Sequence, residues 1–220
     1  MRRTALALAL LAAAPLSAQM PAGHDHDHDA VVQGAPLPAG WARRLDRADA
    51  NAASVRFVAQ GSGFHFTGGP AAIFYRNRDA VARGDYTVRA TFTQTKAPMH
   101  PEAYGLFVGG TDLQGPAQSY LYFVVRGDGK YLVKHRAGTE VHLITDWTDS
   151  PAIVKAGADG RATNALEVRV RADGVHLMAN GQQVAVLPRD HTGDLRGIAG
   201  LRINHNLDVQ VDRFRIDRGH

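Results

Sequence analysis

The chain of 220 residues contains no cysteine and only three glutamates, and both shortages limit its chemistry. Without cysteine, no thiolate is available as a nucleophile or metal ligand, and no disulfide stabilises the fold. The glutamates, Glu102, Glu140 and Glu167, are far apart in the sequence. Stability must therefore come from a hydrophobic core, and about 180 residues are enough to build one.

Long apolar segments are also scarce. Residues 1–19 carry Arg2 and Arg3, then an apolar run, and small residues near Ala18. This pattern predicts a secretory signal peptide, and hence a secreted or periplasmic protein. The run is too short to span a membrane, and no later segment approaches the roughly 20 apolar residues that a span needs. The net charge is +4, and the lysines and arginines are scattered along the chain without forming a basic block. This distribution argues against nucleic-acid binding.

Residues 20–40 are rich in proline, glycine and alanine, and they predict a flexible tether before a single domain of residues 41–218. An alternating His-Asp tract lies in this tether. Its histidines, His24, His26 and His28, are candidate ligands for zinc or copper, because a mobile chain can turn several imidazoles toward one ion. The alternative interpretation is a solvated spacer.

From Trp41 onward the chain consists of short alternating runs separated by glycine, aspartate and asparagine, and no helix of any length is predicted. Many short strands of this kind are typical of an all-β sandwich or barrel. Asp212 interrupts the alternation of the last strand and predicts a β-bulge there. The predicted strands are 54–59, 63–67, 71–76, 85–94, 103–109, 119–126, 130–136, 140–144, 165–171, 174–179, 183–187, 198–204 and 207–216.

Segment 120–136 is the most informative part of the domain. Asp128-Gly129 lies between two apolar runs, and this pair is typical of a two-residue hairpin turn in which both central residues have positive φ. A slip of one residue would exchange the two faces of the hairpin, so the assignment of faces depends on this turn. With the two-residue turn, one face carries Tyr120, Tyr122, Val124, Arg126, Tyr131, Val133 and His135.

This aromatic face is the candidate ligand site, because sugar rings stack on aromatic rings while neighbouring polar groups bind the hydroxyls. Trp147 is interpreted as a core residue rather than a stacking platform. The alternative for the tyrosines is that they line a partly solvated sheet or lie beneath a loop. The predicted ligand-binding residues are Tyr120, Tyr122, Arg126, Tyr131 and His135, with Tyr75, Arg76 and Tyr104 at the edge.

The order of several short motifs in residues 41–217 resembles the concanavalin A-like lectin/glucanase superfamily, near laminin-G-like modules and the bacterial 3-keto-disaccharide hydrolase domain. The motifs are Tyr-Gly-Leu-Phe with Gly-Gly (104–110), Gly-Lys-Tyr (129–131), Trp147 before Ser-Pro-Ala-Ile (150–153), Asn-Ala-Leu-Glu-Val (164–168), Asn-Gly (180–181), Gly-Ile-Ala-Gly-Leu (197–201) and Val-Asp-Arg-Phe (211–214).

The resemblance implies a two-sheet antiparallel jelly-roll β-sandwich that binds sugars on its concave sheet or at its rim. It also implies calcium as a possible cofactor, and Asp112 and Asp212 occupy places where the family often holds this ion. A calcium ion requires several oxygen ligands. The alternative for both aspartates is turn capping, the commoner role of this side chain.

The chain departs from the enzymes of this superfamily. Its glutamates do not form the Glu-x-Asp-x-Glu strand of the glucanases, and the Asn-Ser-Gly stretch associated with the 3-keto-disaccharide branch is missing. Cleavage by two carboxylates needs the pair about 5–10 Å apart across the scissile bond. The sequence therefore favours a non-catalytic, lectin-like module that binds a glycan or another small polar ligand. A glycoside hydrolase of the 3-keto-disaccharide type and a structural or adhesion module that binds a cell-envelope protein remain alternatives.

Overall fold

The computed structural model describes residues 28–80 and 84–219, and their secondary structure is almost entirely β. Each of the thirteen predicted strands corresponds to one of β2–β14, whereas β1 was not predicted. The strands are β1 (Ala42–Leu45), β2 (Arg56–Gln60), β3 (Gly63–Thr67), β4 (Ala72–Tyr75), β5 (Tyr86–Gln94), β6 (Ala103–Thr111), β7 (Ser119–Arg126), β8 (Lys130–Ala137), β9 (Glu140–Asp149), β10 (Ala162–Val170), β11 (Gly174–Ala179), β12 (Gln182–Pro188), β13 (Ile198–Ile203) and β14 (Asp208–Arg218). Short 3₁₀ turns span Ala52–Ser54 and Asn77–Asp79, and a single helical turn, α1, spans Arg189–Thr192.

The strands form two stacked antiparallel sheets of seven strands each. Sheet A has the order β1-β4-β13-β6-β7-β8-β9, and sheet B has the order β12-β11-β10-β5-β14-β3-β2. The predicted two-sheet antiparallel jelly-roll β-sandwich is confirmed. Over the residues described, no helix has the length and apolar character needed to cross a membrane.

The central strands of sheet A, β4, β13, β6 and β7, are buried on both faces. One face packs against sheet B and forms the inner core, to which β10 contributes the alternating Leu166, Val168 and Val170. The opposite face carries a second apolar group, which we call the outer cluster. This explains why β6 and β7 are nearly continuous apolar runs rather than alternating ones. The outer cluster comprises Ile73, Tyr75, Ala103, Phe107, Leu113, Tyr120, Tyr122, Val124 and Leu132.

The β7–β8 hairpin differs from its prediction by one residue of register. Tyr122 pairs with Lys134 instead of His135. The loop has three residues, and Gly129 N donates to Arg126 O at 3.0 Å. A two-residue turn would need the left-handed conformation at both Asp128 and Gly129, but only Gly129 adopts it, with φ of 89°. The predicted face is therefore wrong for three residues, because Tyr131, Val133 and His135 lie on the face toward sheet B.

Residues 28–40, the described part of the predicted tether, contact the domain and do not form a flexible segment separate from it. Ala30 N donates to the Asn206 side chain at 2.6 Å, and Asp29 lies 3.3 Å from both Arg47 and His205. Leu37 packs against the inner core. The predicted signal peptide and residues 20–27 of the tether lie outside the described residues.

The predicted bulge in the last strand is confirmed. The pairing of β14 with β5 shifts register between Asp212 and Arg215, and Arg213 has φ of 56°. The shift returns Ile216 to a position packed against the inner core.

Candidate functional site

Two irregular segments, 46–52 and 112–118, lie over the outer face of sheet A. Arg44 of β1 fixes the second one, because its Nη1 donates to the carbonyl oxygens of Leu113 at 3.2 Å and Gly115 at 2.9 Å. Gln114 donates to the hydroxyl of Tyr75. The predicted ligand residues of this face are consequently covered: Tyr75 is 1%, Tyr120 2% and Tyr122 8% exposed.

Other predicted ligand residues face the interior of the sandwich. Tyr104 and Tyr131 belong to the inner core, and the Asn164 amide donates to the Tyr104 hydroxyl at 3.1 Å. Burial raises the pKa of Tyr104 to about 12. His135 lies 2.9 Å from the Ser119 hydroxyl. Burial is the main cause that lowers the pKa of His135, and the charge of the nearby His142 is the second cause. The expected open aromatic surface is therefore wrong, because its rings are divided between two buried clusters.

The two predicted arginines lie apart from each other. The guanidinium of Arg76 stacks 5.2 Å from the Trp41 ring centroid and pairs with Asp79. Arg126 stacks 4.2 Å above Trp147. Trp147 is partly buried against the outer cluster, so it packs on the outer face of sheet A and is not the inner-core residue that the sequence had predicted.

A buried ion pair lies on top of the outer cluster. Arg202 of β13, whose side chain is 6% exposed, donates two hydrogen bonds to the Asp46 carboxylate, and its guanidinium carbon lies 5.3 Å from the Tyr122 ring centroid. Burial raises the pKa of Asp46, but the charge and hydrogen bonds of Arg202 and the charge of Arg136 outweigh burial, so this pKa lies below its usual value. Burial raises the pKa values of Tyr120 and Tyr122.

A pocket of about 630 Å³ opens beside this ion pair, between the two covering segments and the end of β8. Four arginines and a single carboxylate are among its lining residues. The pocket is lined by Arg43, Arg44, Leu45, Asp46, Arg47, Ala48, Ala50, Ala52, Gln114, Gln118, Arg136 and Thr139.

Two residues of the pocket wall keep unused hydrogen-bonding capacity. Arg136 Nη2 donates to Asp46 O at 2.9 Å, and Gln118 Nε2 donates to Gly138 O at 3.1 Å. However, Arg136 Nε and Gln118 Oε1 are buried and have no hydrogen-bond partner in the described chain. Such atoms are uncommon in folded proteins and need an explanation such as an ordered water, ion or ligand. Both atoms lie within the wall and are covered by protein, so they mark a polar wall but are not themselves exposed to the pocket.

The sequence reasoning missed these pocket residues for identifiable reasons. Arg43 and Arg44 lie on β1, which was not predicted, and the one-residue error in register turned Arg136 toward the core. One signal was present, because Arg202 is a charged residue inside the apolar strand Ile-Ala-Gly-Leu-Arg-Ile. A buried charge needs a partner, so its presence indicates a polar site nearby.

The two candidate calcium ligands, Asp112 and Asp212, do not lie together in the structure. Asp112 follows β6 of sheet A, and its carboxylate accepts from Ala117 N at 2.8 Å, whereas Asp212 lies in sheet B and accepts from Gln210 at 3.0 Å. The carboxylate of Asp112 thus caps a turn, as in the turn-capping alternative, whereas that of Asp212 accepts from a side chain of its own strand. Within residues 28–80 and 84–219, no group of three or more histidine, aspartate or glutamate side chains is arranged to hold a metal ion.

The His-Asp tract is only partly described. The side chain of His28 is exposed, and its carbonyl oxygen accepts from the Asn206 amide at 2.9 Å. His24 and His26 lie outside the described residues, so metal binding by the three histidines stays a prediction.

No family model matches the chain, and no curated protein matches its sequence. Solved structures do match its fold. The carbohydrate-binding module CBM66 from Bacillus subtilis superposes with a TM-score of 0.58 at 10% identity, over 83% of this chain and 99% of that one. A Bacillus subtilis protein of unknown function with a galectin-like fold gives a TM-score of 0.59 at 12% identity, over 81% and 89%.

An enzyme has a similar fold. Alginate lyase A1-II', a member of polysaccharide lyase family 7, gives a TM-score of 0.55 at 11% identity, covering 82% of this chain and 95% of the lyase. At such identities the likeness concerns the fold alone, because one fold supports binding and catalysis. The chain shares the two-sheet jelly-roll fold of these structures, which is the fold that the resemblance to the concanavalin A-like superfamily implies.

Proposed function

We propose that this protein is a carbohydrate-binding module whose ligand lies in the pocket on the outer face of sheet A. The observation that carries the proposal is the pocket itself. Its volume of about 630 Å³ lies within the range of small-ligand sites. The fold it shares with a module named for carbohydrate binding supports the same conclusion. The predicted signal peptide would place this ligand outside the cytoplasm.

The pocket would bind a sugar through hydrogen bonds rather than through ring stacking. The tyrosines beneath it are covered, so they shape its floor and do not offer open ring faces. Gln114, Gln118 and the arginines of the wall carry amide and guanidinium groups that suit the closely spaced hydroxyls of a sugar. Burial of the Arg202–Asp46 pair next to the pocket holds the wall in one arrangement, which reduces the entropy lost on binding.

Filling the pocket tests this proposal. Ala48 is exposed and lines the pocket, so Ala48→Trp adds a large side chain there with little effect on the core. Ala165→Trp, at an exposed position on the outer face of sheet B, is the matched control. A glycan array followed by calorimetry should show binding by wild type and Ala165→Trp, and at least roughly tenfold weaker binding by Ala48→Trp. Binding that Ala48→Trp leaves unchanged would refute this site, and no binding at millimolar sugar would refute the function.

The two alternative functions stay predictions. Asp46, the only carboxylate among the described residues that line this pocket, is held by Arg202. Glu102 pairs with His205 at 2.8 Å, and Glu167 pairs with Arg169 on the outer face of sheet B. Product release from 3-keto-glycosides would support a hydrolase, and co-purification of one envelope protein would support an adhesion module.

A further inference from the structure

We propose that the ligand of this pocket is an acidic sugar, whose carboxylate or sulfate group is bound by Arg44 and Arg136 with Arg43 at the rim. This inference rests on the proposed function and adds the chemical class of the ligand. Carboxylate and sulfate share the chemistry that matters here, namely a planar or trigonal set of anionic oxygens that accepts hydrogen bonds from a guanidinium fork.

The first support is the charge of the pocket wall. Four arginines line the pocket against one carboxylate, Asp46. That carboxylate is already neutralised by Arg202, which lies beneath it with its side chain 6% exposed. Arg47 is paired with Asp29 and Asp49, but Arg43, Arg44 and Arg136 leave an excess of positive charge in the wall, and an anionic ligand would be attracted to it.

The second support is the nature of the groups that hold these arginines. Arg44 donates to the carbonyl oxygens of Leu113 and Gly115, and Arg136 donates to those of Asp46 and Thr139. These acceptors are neutral. Of the carboxylates in the described chain, none lies within 4.0 Å of Arg43, Arg44 or Arg136, although Arg47 at the pocket mouth is paired with Asp29 and Asp49.

Three arginines on the outer face of sheet B are held differently. Arg89 lies 2.8 Å from Asp217, Arg169 lies 2.9 Å from Glu167, and Arg215 lies 3.4 Å from Asp217. These three arginines are paired with carboxylates, whereas Arg44 and Arg136 of the pocket wall are held by carbonyl oxygens.

The third support is that side chains of the wall are held in place by hydrogen bonds to carbonyl oxygens. Gln118 is 4% exposed and is fixed to Gly138 through its Nε2, while its Oε1 has no partner among the described residues. The carbonyl contacts of Arg44 and Arg136 fix their guanidinium groups before a ligand arrives, so less side-chain entropy is lost.

The test compares oligosaccharides that differ only in charge. The probes are an oligogalacturonate hexamer, the same hexamer with its carboxyl groups reduced to alcohols, and this reduced hexamer esterified with sulfate. Calorimetry is done with the full chain and with Arg44→Gln and Arg136→Gln, each checked for wild-type thermal unfolding. Arg213→Gln, on the outer face of sheet B, is the matched control because it also removes one positive charge.

We expect at least one acidic hexamer to bind roughly tenfold or more tightly than the reduced hexamer, because each charge-assisted contact is about twice as strong as a neutral one. This preference should weaken at high salt. Arg44→Gln and Arg136→Gln should each lose about tenfold in affinity for the acidic probe, while Arg213→Gln should not. Whether the carboxylated or the sulfated probe binds more tightly identifies the anion.

Three results would overturn the inference. If the reduced hexamer binds as tightly as both acidic ones, the pocket binds sugars but does not select acidic ones, and the proposed function survives. If Arg213→Gln weakens acidic binding as much as Arg44→Gln and Arg136→Gln do, the effect is one of overall charge and not of this pocket. If none of the probes binds and the glycan array is also empty, the proposed function fails together with the inference.

Discussion

Asp46→Asn is the perturbation whose effect on stability the structure defines most directly. The substitution keeps the shape of the side chain but removes the charge that balances Arg202, which is 6% exposed. Removing one partner of a buried ion pair costs about 3–5 kcal/mol, because the other charge stays buried without compensation. Asp46 itself is 30% exposed, so water compensates part of the loss, and we expect a value near the lower limit, about 3 kcal/mol.

Urea unfolding at neutral pH measures this loss, and a double-mutant cycle with Arg202→Met isolates the pair. In a domain of this size, about 3 kcal/mol corresponds to a fall in Tm of roughly 6–12 °C. The double variant should recover much of the stability, because an apolar side chain of similar length replaces the orphan charge above Tyr122. If Asp46→Asn lowers the free energy of unfolding by less than about 1 kcal/mol, the charge of Arg202 does not need Asp46 as its partner, and the ion pair does not stabilise the pocket wall.

Four further predictions follow from particular contacts. Because the folded pKa of Asp46 lies below its ordinary 3.8, its stabilising contribution is present above that value and lost as the pH falls through the folded pKa; urea titrations should show the difference between wild type and Asp46→Asn shrinking in acid, and a constant difference would contradict this. Gly129→Ala should cost about 1–2 kcal/mol in urea unfolding, because φ is 89° and the left-handed conformation disfavours a side chain; no loss would mean that the hairpin can use a different turn. Tyr122→Ala should lower stability by about 3–5 kcal/mol because the ring is buried, whereas Tyr122→Phe should stay within about 1 kcal/mol; two near-neutral variants would show that the ring is not packed as described. Asp112→Ala should cost about 1 kcal/mol through loss of the bond from Ala117 N, with the same Tm after chelation and after calcium is added; a rise with calcium that this variant abolishes would restore a calcium site.

The strands could be predicted because period-2 alternation depends on local sequence alone. Leu166, Val168 and Val170 alternate with polar residues, and they all enter the inner core. The strand β1 was missed because Ala-Arg-Arg-Leu is short and carries two charges side by side. Those charges are tolerated because the arginines reach neighbouring segments and the pocket, which are brought near only by the folded sheet.

The site could not be predicted, since it depended on one residue of register. Asp-Gly permits either a two-residue or a three-residue loop, and the side chain of Asp128 accepts hydrogen bonds from Arg126 in the observed one. The extra loop residue moves Tyr131 and His135 to the inner face and brings Arg136 to the outer face. Every residue of β8 thus exchanged faces.

The sequence by itself determined the strands, the all-β class, the bulge near Asp212 and the need for a core without disulfides, because these depend on alternation, turn residues and composition. Tertiary structure alone decided which face of sheet A is covered and that Arg202 pairs with Asp46. It also decided that the tyrosines lie under a pocket lined by arginines. The physical reason is that side chains more than a hundred residues apart, such as Asp46 and Arg202, meet only after the sheet has formed, and no local pattern records that contact.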